Sequence, residues 1–394
     1  MMKQIPVSVV IPTRNRMHCA IECIAAALEA TTTAQIIVAD SSDGDALEIA
    51  IRQRGLDLPR LKYLKTPDKW NVVQNFEGAL GHCEGHYVLY IGDDDLVGPH
   101  LEMVCDWARA ADIDVVIPYA KRFGVAYYWP GVKSKYFGDA YQGKVFVWSH
   151  SSRVRPIDVA HEIAAAKRNI GRGLERLPRV YHGLVSNELL RRVRARHGHV
   201  FGGVSPDIYS AILIAAAARR AVHLDYPFCI PGASPVSEAG AGAAQTDRHS
   251  FEDSPYLRRF KNLKWDSAIP RFFSPYNGWG YSFNEALKQT HHRLEPRHLN
   301  LLYARNLFHC WAYRQQVWQC VRKQAQGDGW RVALGRLILA MLTEGSLMIG
   351  RVLRKALAPR AGGWATRHAG FATSLSAYRF LAKHLPPPTL PKGG

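Results

Sequence analysis

A doubly wound α/β fold, built on a mostly parallel sheet and carrying a helical C-terminal extension, is the architecture this sequence predicts. Three observations lead there. Short β-branched runs alternate with stretches of helical composition over the first 118 residues, as parallel strands joined by crossover helices require. Three polar clusters, Thr13-Arg-Asn-Arg16, Asp40-Ser-Ser-Asp43 and Asp93-Asp-Asp95, each stand at the end of an apolar run. Further along, residues 283 to 325 are aromatic-rich with helical character, and 333 to 357 have a helical apolar period.

Taken in order, Val7-Ser-Val-Val-Ile11 is a buried first strand stopped by Pro12, and Met17 to Ala30 is the helix after it. Gln35-Ile-Ile-Val-Ala39 is the second strand, followed by an Asp/Ser/Gly turn over residues 40–45 and a helix from Ala46 to Arg54. Leu61 to Leu64 is a third strand and Val72 to Leu80 a helix. His86-Tyr-Val-Leu-Tyr-Ile91 then runs straight into Gly92-Asp-Asp-Asp95, and Asp114-Val-Val-Ile-Pro118 offers one more strand. In such a sheet ligands gather at the carboxyl ends of the strands, so the three polar clusters are expected to share one crevice. Tyr127 to Trp148 reads as irregular or antiparallel, and 151–230 as helix mixed with loops. Residues 231–246 form a Gly/Ala/Ser/Pro-rich loop, and the tail from Pro386 reads as disordered.

Composition bounds the function. With 394 residues, 47% of them hydrophobic and 21% charged, the chain can bury a sizeable core. Its seven cysteines are odd in number and contain no CxxC pair, which argues against a disulfide framework or a Cys-rich zinc site and for a reducing cytosol. No signal-peptide pattern and no long uncharged apolar stretch is read, so neither export nor membrane spanning is expected. The net charge of +18 divides unevenly: residues 1–118 hold 10 basic and 17 acidic side chains, leaving 41 and 16 for residues 119–394. Residues 319–394 alone carry 12 basic and 2 acidic. Such a surface attracts nucleic acid, anionic lipid or phosphate-bearing substrates, and charge does not choose among them.

Asp93, Asp94 and Asp95 are the strongest local signal, because adjacent carboxylates repel unless a cation or a donor-rich ligand offsets their charge. Hard oxygen ligands suit Mg²⁺ or Mn²⁺, whose shell substrate phosphates commonly complete; the plainer role is an acidic turn before the helix near Pro99. Asp40, at the end of the second strand, is placed to accept hydrogen bonds from a base or ribose, whereas Asp43 and Asp45 suit the start of the next helix.

Together, Val7-Ser-Val-Val-Ile-Pro-Thr-Arg-Asn-Arg16, Asp40-Ser-Ser-Asp43, Asn75 within Trp70 to Leu80, and Tyr90-Ile-Gly-Asp-Asp-Asp95 resemble the nucleotide-sugar-binding half of the family 2 glycosyltransferases, with their GT-A fold. The resemblance covers about residues 5–120, weakens to about 235 and stops there. It implies that Thr13, Arg16, Asp40 and Lys69 line the donor nucleotide, with Lys69 near base or diphosphate. Asp93 would face ribose or metal, Asp95 would bind the metal bridging the diphosphate, and Asp94 would stand beside them. Gly92 departs from the acidic residue that many members have at this position, so the roles within the triplet can slip by one.

Inverting members use a later carboxylate as general base, since the acceptor hydroxyl loses its proton as it attacks. Asp207, on the Gly-rich turn Phe201-Gly-Gly-Val-Ser-Pro-Asp207 before an apolar helix, resembles that residue; its plainer role is to cap the helix. Glu188 and Asp225 are the next carboxylates to consider. His291-His292-Arg-Leu-Glu295 with His298 has no metal-ligand spacing and reads as a polar turn. Between Ala333 and Leu357, the apolar residues Leu334, Leu337, Ile338, Met341, Leu342, Met348, Ile349, Val352 and Leu353 are read as one helical face, opposite Arg336, Glu344, Arg351 and Arg354. That helix fits either a membrane interface or the protein's own core or a second subunit.

The expected divisions are therefore 1–118 for the nucleotide-sugar-binding half, 119–235 for the acceptor-binding and catalytic half, 236–325 for a helical extension, 326–385 for a basic amphipathic region and 386–394 for the tail. The expected function is inverting sugar transfer from a nucleoside-diphosphate sugar, uridine-linked by preference, to a hydroxyl of a glycan or lipid-linked acceptor in cell-surface polysaccharide synthesis. Mn²⁺ or Mg²⁺ is the implied cofactor, an anionic membrane surface a candidate partner, and the cytoplasm or the inner face of the cell membrane the place of work. The oligomeric state stays open. The alternatives are a nucleotidyltransferase on the same fold, which lacks its Gly-rich basic loop here, and a non-catalytic basic scaffold on membrane or nucleic acid. No nucleic-acid partner is expected, since the usual recognition motifs are missing.

Overall fold

The computed structural model describes residues 5–118, 124–174, 176–237 and 249–391. Part of the loop expected over 231–246 lies outside these residues. Strands β1 (Val7–Thr13), β2 (Gln35–Asp40), β3 (Leu61–Lys65) and β4 (Tyr87–Tyr90) alternate with helices α1 (Met17–Ala30), α2 (Ala46–Gln53) and α3 (Val72–Leu80), as the sequence pattern predicts to within two residues. Next come β5 (Leu96–Val97), α4 (Leu101–Ala110), β6 (Val115–Pro118), β7 (Val125–Tyr128), β8 (Lys144–Val147), β9 (Val154–Pro156), α5 (Val159–Lys167), β10 (Leu184–Ser186), α6 (Asn187–His197), α7 (Pro206–Ala217) and β11 (Ala221–Leu224). The remainder comprises β12 (Cys229–Ile230), β13 (Gly232–Ala233), β14 (His249–Ser250), β15 (Phe272–Phe273), α8 (Pro275–Lys288), α9 (Pro296–His309), α10 (Arg314–Asp328), α11 (Trp330–Leu357), β16 (Thr366–Ala369) and α12 (Ser374–His384).

The main sheet runs β3-β2-β1-β4-β10-β6-β11-β9. β1 is parallel to β2 and β4, β2 to β3, and β6 to β11, while β10 and β9 run antiparallel to their neighbours. Every residue of β2 is buried, and all of β1 except Pro12 is buried too, which is why these strands read as continuous apolar runs rather than alternating ones. β4 pairs with β1 only from Val7 to Val10. Pro12 lies past that pairing, where its missing N–H leaves no ladder bond unmade on that side. The order reverses between β1 and β4, so their carboxyl ends open a crevice at the switch point of the sheet.

Two expectations about organisation change. β16 pairs with β8 and completes a second, four-stranded sheet, β13-β7-β8-β16. Beyond it, α12 packs on α1, with Tyr378 and Arg379 both bonded to Glu29. The stretch 326–385 is thus split between α11, on the helical extension, and α12, on the first half of the chain. Of the tail expected to be disordered, the described part to residue 391 packs as well: the Pro386 carbonyl accepts from Tyr226 Oη at 3.0 Å, and Leu390 lies against the core around β1 and α1, while 392–394 lie outside the described residues. A Pro-rich segment needs no ladder of its own to be held when tertiary contacts supply the partners. All seven cysteines lie among the described residues, buried, and no disulfide joins them.

Candidate active site

At the end of β1, Thr13 stands beside Asp40 at the end of β2 in the strand register. Thr13 Oγ1 donates to Asp93 Oδ2 at 2.6 Å, tying the exit of β1 to the exit of β4. Arg16, the residue before α1, reaches back: Nη1 is 2.9 Å from Asp93 Oδ1 and Nη2 is 3.1 Å from Asp94 Oδ2. The Ser234 backbone N–H also donates to Asp94 Oδ2 at 2.8 Å, and Trp129 Nε1 donates to the Asp94 carbonyl at 2.9 Å. Burial pushes Asp93 and Asp94 up; Arg16 opposes this, and the neighbouring carboxylates add to it. The cation that three adjacent carboxylates demand is, for the first two, Arg16.

Asp95 is held differently. Its Oδ2 accepts from the Gly92 N–H at 2.5 Å and lies 2.5 Å from His182 Nε2, while its Oδ1 accepts from the Gly232 N–H at 2.6 Å. Burial alone would raise this carboxyl; His182 and the two backbone donors outweigh it and hold the group below its ordinary value. Oδ2 is thus taken up by the protein and Oδ1 holds one donor, so Asp95 anchors the strand-end turn, and the metal role that the resemblance implies for it would have to use the remaining lone pair of Oδ1. Gly92 has a related cause. A side chain there would start 2.8 Å from Tyr181 Oη and 2.9 Å from Asp95 Oδ2, so the acidic residue common at that position in the resembled family would require those side-chain ends to shift.

Asp40 is fully buried, with Oδ1 accepting from the Ser42 N–H at 2.9 Å and Oδ2 from Tyr63 Oη at 2.8 Å. Each oxygen keeps a second lone pair for a ligand donor. We expect Asp40→Ala to weaken nucleotide binding even without metal, whereas Tyr63→Phe, which keeps the carboxylate, should retain most of it. Calorimetric titration with UDP checks this, and unchanged affinity in Asp40→Ala would remove the residue from the site. Asn75 is structural: it accepts from Thr66 Oγ1 and donates to the Ala39 carbonyl, tying α3 to the ends of β2 and β3. Lys69 is exposed on a cleft of about 230 Å³ with Trp70, Asn71, Gln74, Arg259 and Lys261. Arg14 bridges the Ser41 and Asp68 carbonyls at 2.5 Å each, so this cleft adjoins the turn after Asp40.

Asp207 sits in the first turn of α7, after Pro206. Burial raises its pKa above the ordinary carboxylate range, against the pull of nearby backbone N–H groups, Arg179 and His182. The turn that presents it is held from the extension: Ser282 Oγ accepts from the Val204 and Ser205 N–H groups, and Tyr256 Oη bonds the Val204 carbonyl. Gly203 adopts φ +64° there, and a side chain would collide with Ser282, hence the Gly-rich sequence. Tyr181 Oη lies 3.4 Å from Asp95 Oδ2, and its pKa is pushed well up by burial and by the charges of the triplet and Asp207. Of the other candidates, Glu188 is exposed and pairs with Arg192, and Asp225 accepts from Ser151. His298 caps α9 through the Glu295 N–H.

A family model described as glycosyl transferase family 2 matches residues 8–155, the segment that supplies Thr13, Arg16, Asp40 and Asp93 to Asp95. Residues 8–155 are a family 2 glycosyltransferase segment. The match covers less than half of the chain, and the strands it spans belong to a sheet of the GT-A type. No curated protein matches the chain. Among solved structures it is similar to TarS residues 1–349 from S. aureus in complex with UDP-GlcNAc, at 15% identity and TM-score 0.44, covering 85% of this chain and 81% of that one. It is also similar to the mannosyltransferase PcManGT from Pyrobaculum calidifontis in complex with GDP-Man and Mn²⁺, at 16% identity and TM-score 0.43, covering 97% and 87%. Both likenesses are distant, and the assignment rests on the family match. Outside the matched segment the candidate site draws on His182, Tyr181, Gly232 and Ser234, none of which has a sequence signal: Gly232 belongs to the two-residue strand β13 and Tyr181 to a single bridge with Tyr90, and only the fold brings the four to the triplet.

Proposed function

We propose that the chain transfers a sugar from a nucleoside-diphosphate sugar, uridine-linked, to a hydroxyl of a glycan or lipid-linked acceptor with inversion. One observation carries this reading: within a family 2 glycosyltransferase segment, Thr13, Arg16, Asp93 and Asp94 close as one largely buried polar cluster at the sheet's switch point, and the charges of the Asp93 to Asp95 triplet and of Asp207 both bear on Tyr181. Thr13 and Asp40 would receive the nucleoside, and Arg16 would turn its guanidinium from the carboxylates toward the diphosphate. Asp207, raised in pKa and so a stronger base than a solvated carboxylate, would take the acceptor's proton.

The donor set suits a divalent cation at Asp93 and Asp94. Asp93 Oδ1 is buried without a hydrogen-bond partner, facing only the Arg16 charge, and a hard ion held by one or two carboxylates fills its shell from phosphate. Among the described residues no group of three or more His, Cys, Asp or Glu side chains forms a ready-made cage. When bound, Mn²⁺ or Mg²⁺ would neutralise charge on the departing diphosphate.

The test is incubation with a panel of nucleotide sugars, with and without Mn²⁺, reading release of the free nucleoside diphosphate. Release of UDP, faster with Mn²⁺, is the expected result. Release of pyrophosphate or of a nucleoside monophosphate would overturn the reading in favour of nucleotidyl transfer. Asp94→Asn should lose the Mn²⁺ stimulation of UDP binding; retained stimulation would move the cation elsewhere.

A further inference from the structure

The 28-residue helix α11 meets the rest of the protein through a narrow stripe, Ala333, Leu337, Ala340 and Glu344, spaced three and four apart. Glu344 is fully buried and is engaged by Arg305 (Nη2 to Oε2, 3.0 Å), Arg172 (3.1 Å), Arg351 (2.6 Å) and His309 (3.4 Å). The sequence pattern places Glu344 and Arg351 on the helix's solvent side. The structure reverses that, because Arg172, Arg305 and His309 reach Glu344 from other elements and Arg351 turns inward with it. What faces outward instead is apolar: Ile338, Leu339, Leu342, Ile349, Leu353 and Leu357 are each 56–77% exposed. An apolar row of this length on a monomer's surface marks an interaction site.

We infer that this outer face of α11 lies flat in the interface of an anionic lipid bilayer. Charge decides for lipid over a second copy of the chain. Helix α11 itself carries five basic residues and one acid, Glu344, which is neutralised internally, and Asp328 just before it pairs with Arg336 at 2.5 Å. Two such faces brought together would oppose like charges, whereas anionic headgroups complement them. Exposed tryptophans flank the helix in sequence, Trp330 at its start with 51% and Trp364 seven residues past its end with 81% exposed, the residue type that favours the headgroup level. Beside Trp364, a shallow cup of about 320 Å³ is lined by Arg360, Gly363, Ala365 and Arg367, with donors for a lipid phosphate.

By length and composition α11 is also the one helix among the described residues able to cross a membrane. The Glu344 cluster decides against crossing. Spanning would strip the carboxylate from Arg172, Arg305 and His309 and carry it to mid-helix depth in hydrocarbon, where a charge is costly. Lying flat keeps the inner stripe packed and buries only the outer row.

The inference does not depend on the sugar-transfer reading, and its test needs no activity. The full chain is sedimented with phosphatidylglycerol-containing vesicles and with pure phosphatidylcholine vesicles, at low and high salt, beside Ile338→Glu/Ile349→Glu. Both positions face solvent, so the variant should melt with the parent. The parent should pellet with anionic vesicles, less so at high salt and least with neutral ones, and the variant's partitioning should drop about tenfold or more. Equal pelleting of parent and variant would overturn the inference. So would a parent that is dimeric in solution without lipid while the variant is monomeric, since a second copy would then cover the row.

Discussion

Asp207→Asn should bind donor as tightly as the parent yet transfer sugar about 10²- to 10⁴-fold more slowly, the usual contribution of a positioned base. The amide keeps the shape and the first-turn position of α7 but cannot take a proton. Cap-like interactions at this helix start do not need the charge, since Asn serves nearly as well as Asp there, so the melting temperature should barely move. Donor titration and single-turnover transfer on the same preparation make the check. A transfer rate within about threefold of the parent would assign Asp207 to the helix start alone. Glu188 and Asp225 would not inherit the role readily, because Arg192 holds one at the surface and Ser151 the other.

The largest stability effect is expected at Glu344→Gln. Arg305 is 1% exposed and donates to Glu344 through Nε and Nη2. Removing the carboxylate's charge leaves a buried guanidinium uncompensated, a loss of about 3–5 kcal/mol where one partner of a buried pair is deleted. Urea unfolding at neutral pH measures it, and a loss under about 1 kcal/mol would mean that the cluster relaxes into water. The pH dependence follows from the same contacts. Burial would raise the Glu344 pKa, but His309, Arg305 and Arg172 overcome it and hold the group far below its ordinary 4.5. Its stabilisation is therefore complete above about that pH and is lost as acid moves toward the folded-state value. The gap between parent and Gln variant should narrow below pH 4.5. A gap that widens there would reverse the sign and refute the assignment.

Much of the first third of the chain was legible because its signals are local. β-branched runs, stopping residues and helical stretches follow one another with no long-range partner needed to define them, and each polar cluster falls where a parallel strand ends. Thr13, Arg16, Asp40, Asp93 and Asp94 could be nominated for that reason. Division of labour inside the triplet was not legible. Three adjacent carboxylates look alike in sequence, and what separates Asp95 from Asp93 is the Gly232 N–H and the His182 ring, from 137 and 87 residues further on. The same limit explains α11: a 3.6-residue period shows that a helix has two faces but not which one meets the protein.

What the sequence alone determined, then, is the order of strands and helices and the position of charge along the chain. The tertiary structure decided which charges are neutralised and which apolar surface stays in water. The return of residues 366–384 to β8 and α1 and the burial of Glu344 among arginines from α11 itself, α9 and the loop after α5 both depend on contacts between distant segments. A buried charge is stable only where partners of opposite sign converge in space, and no window along the chain contains that convergence.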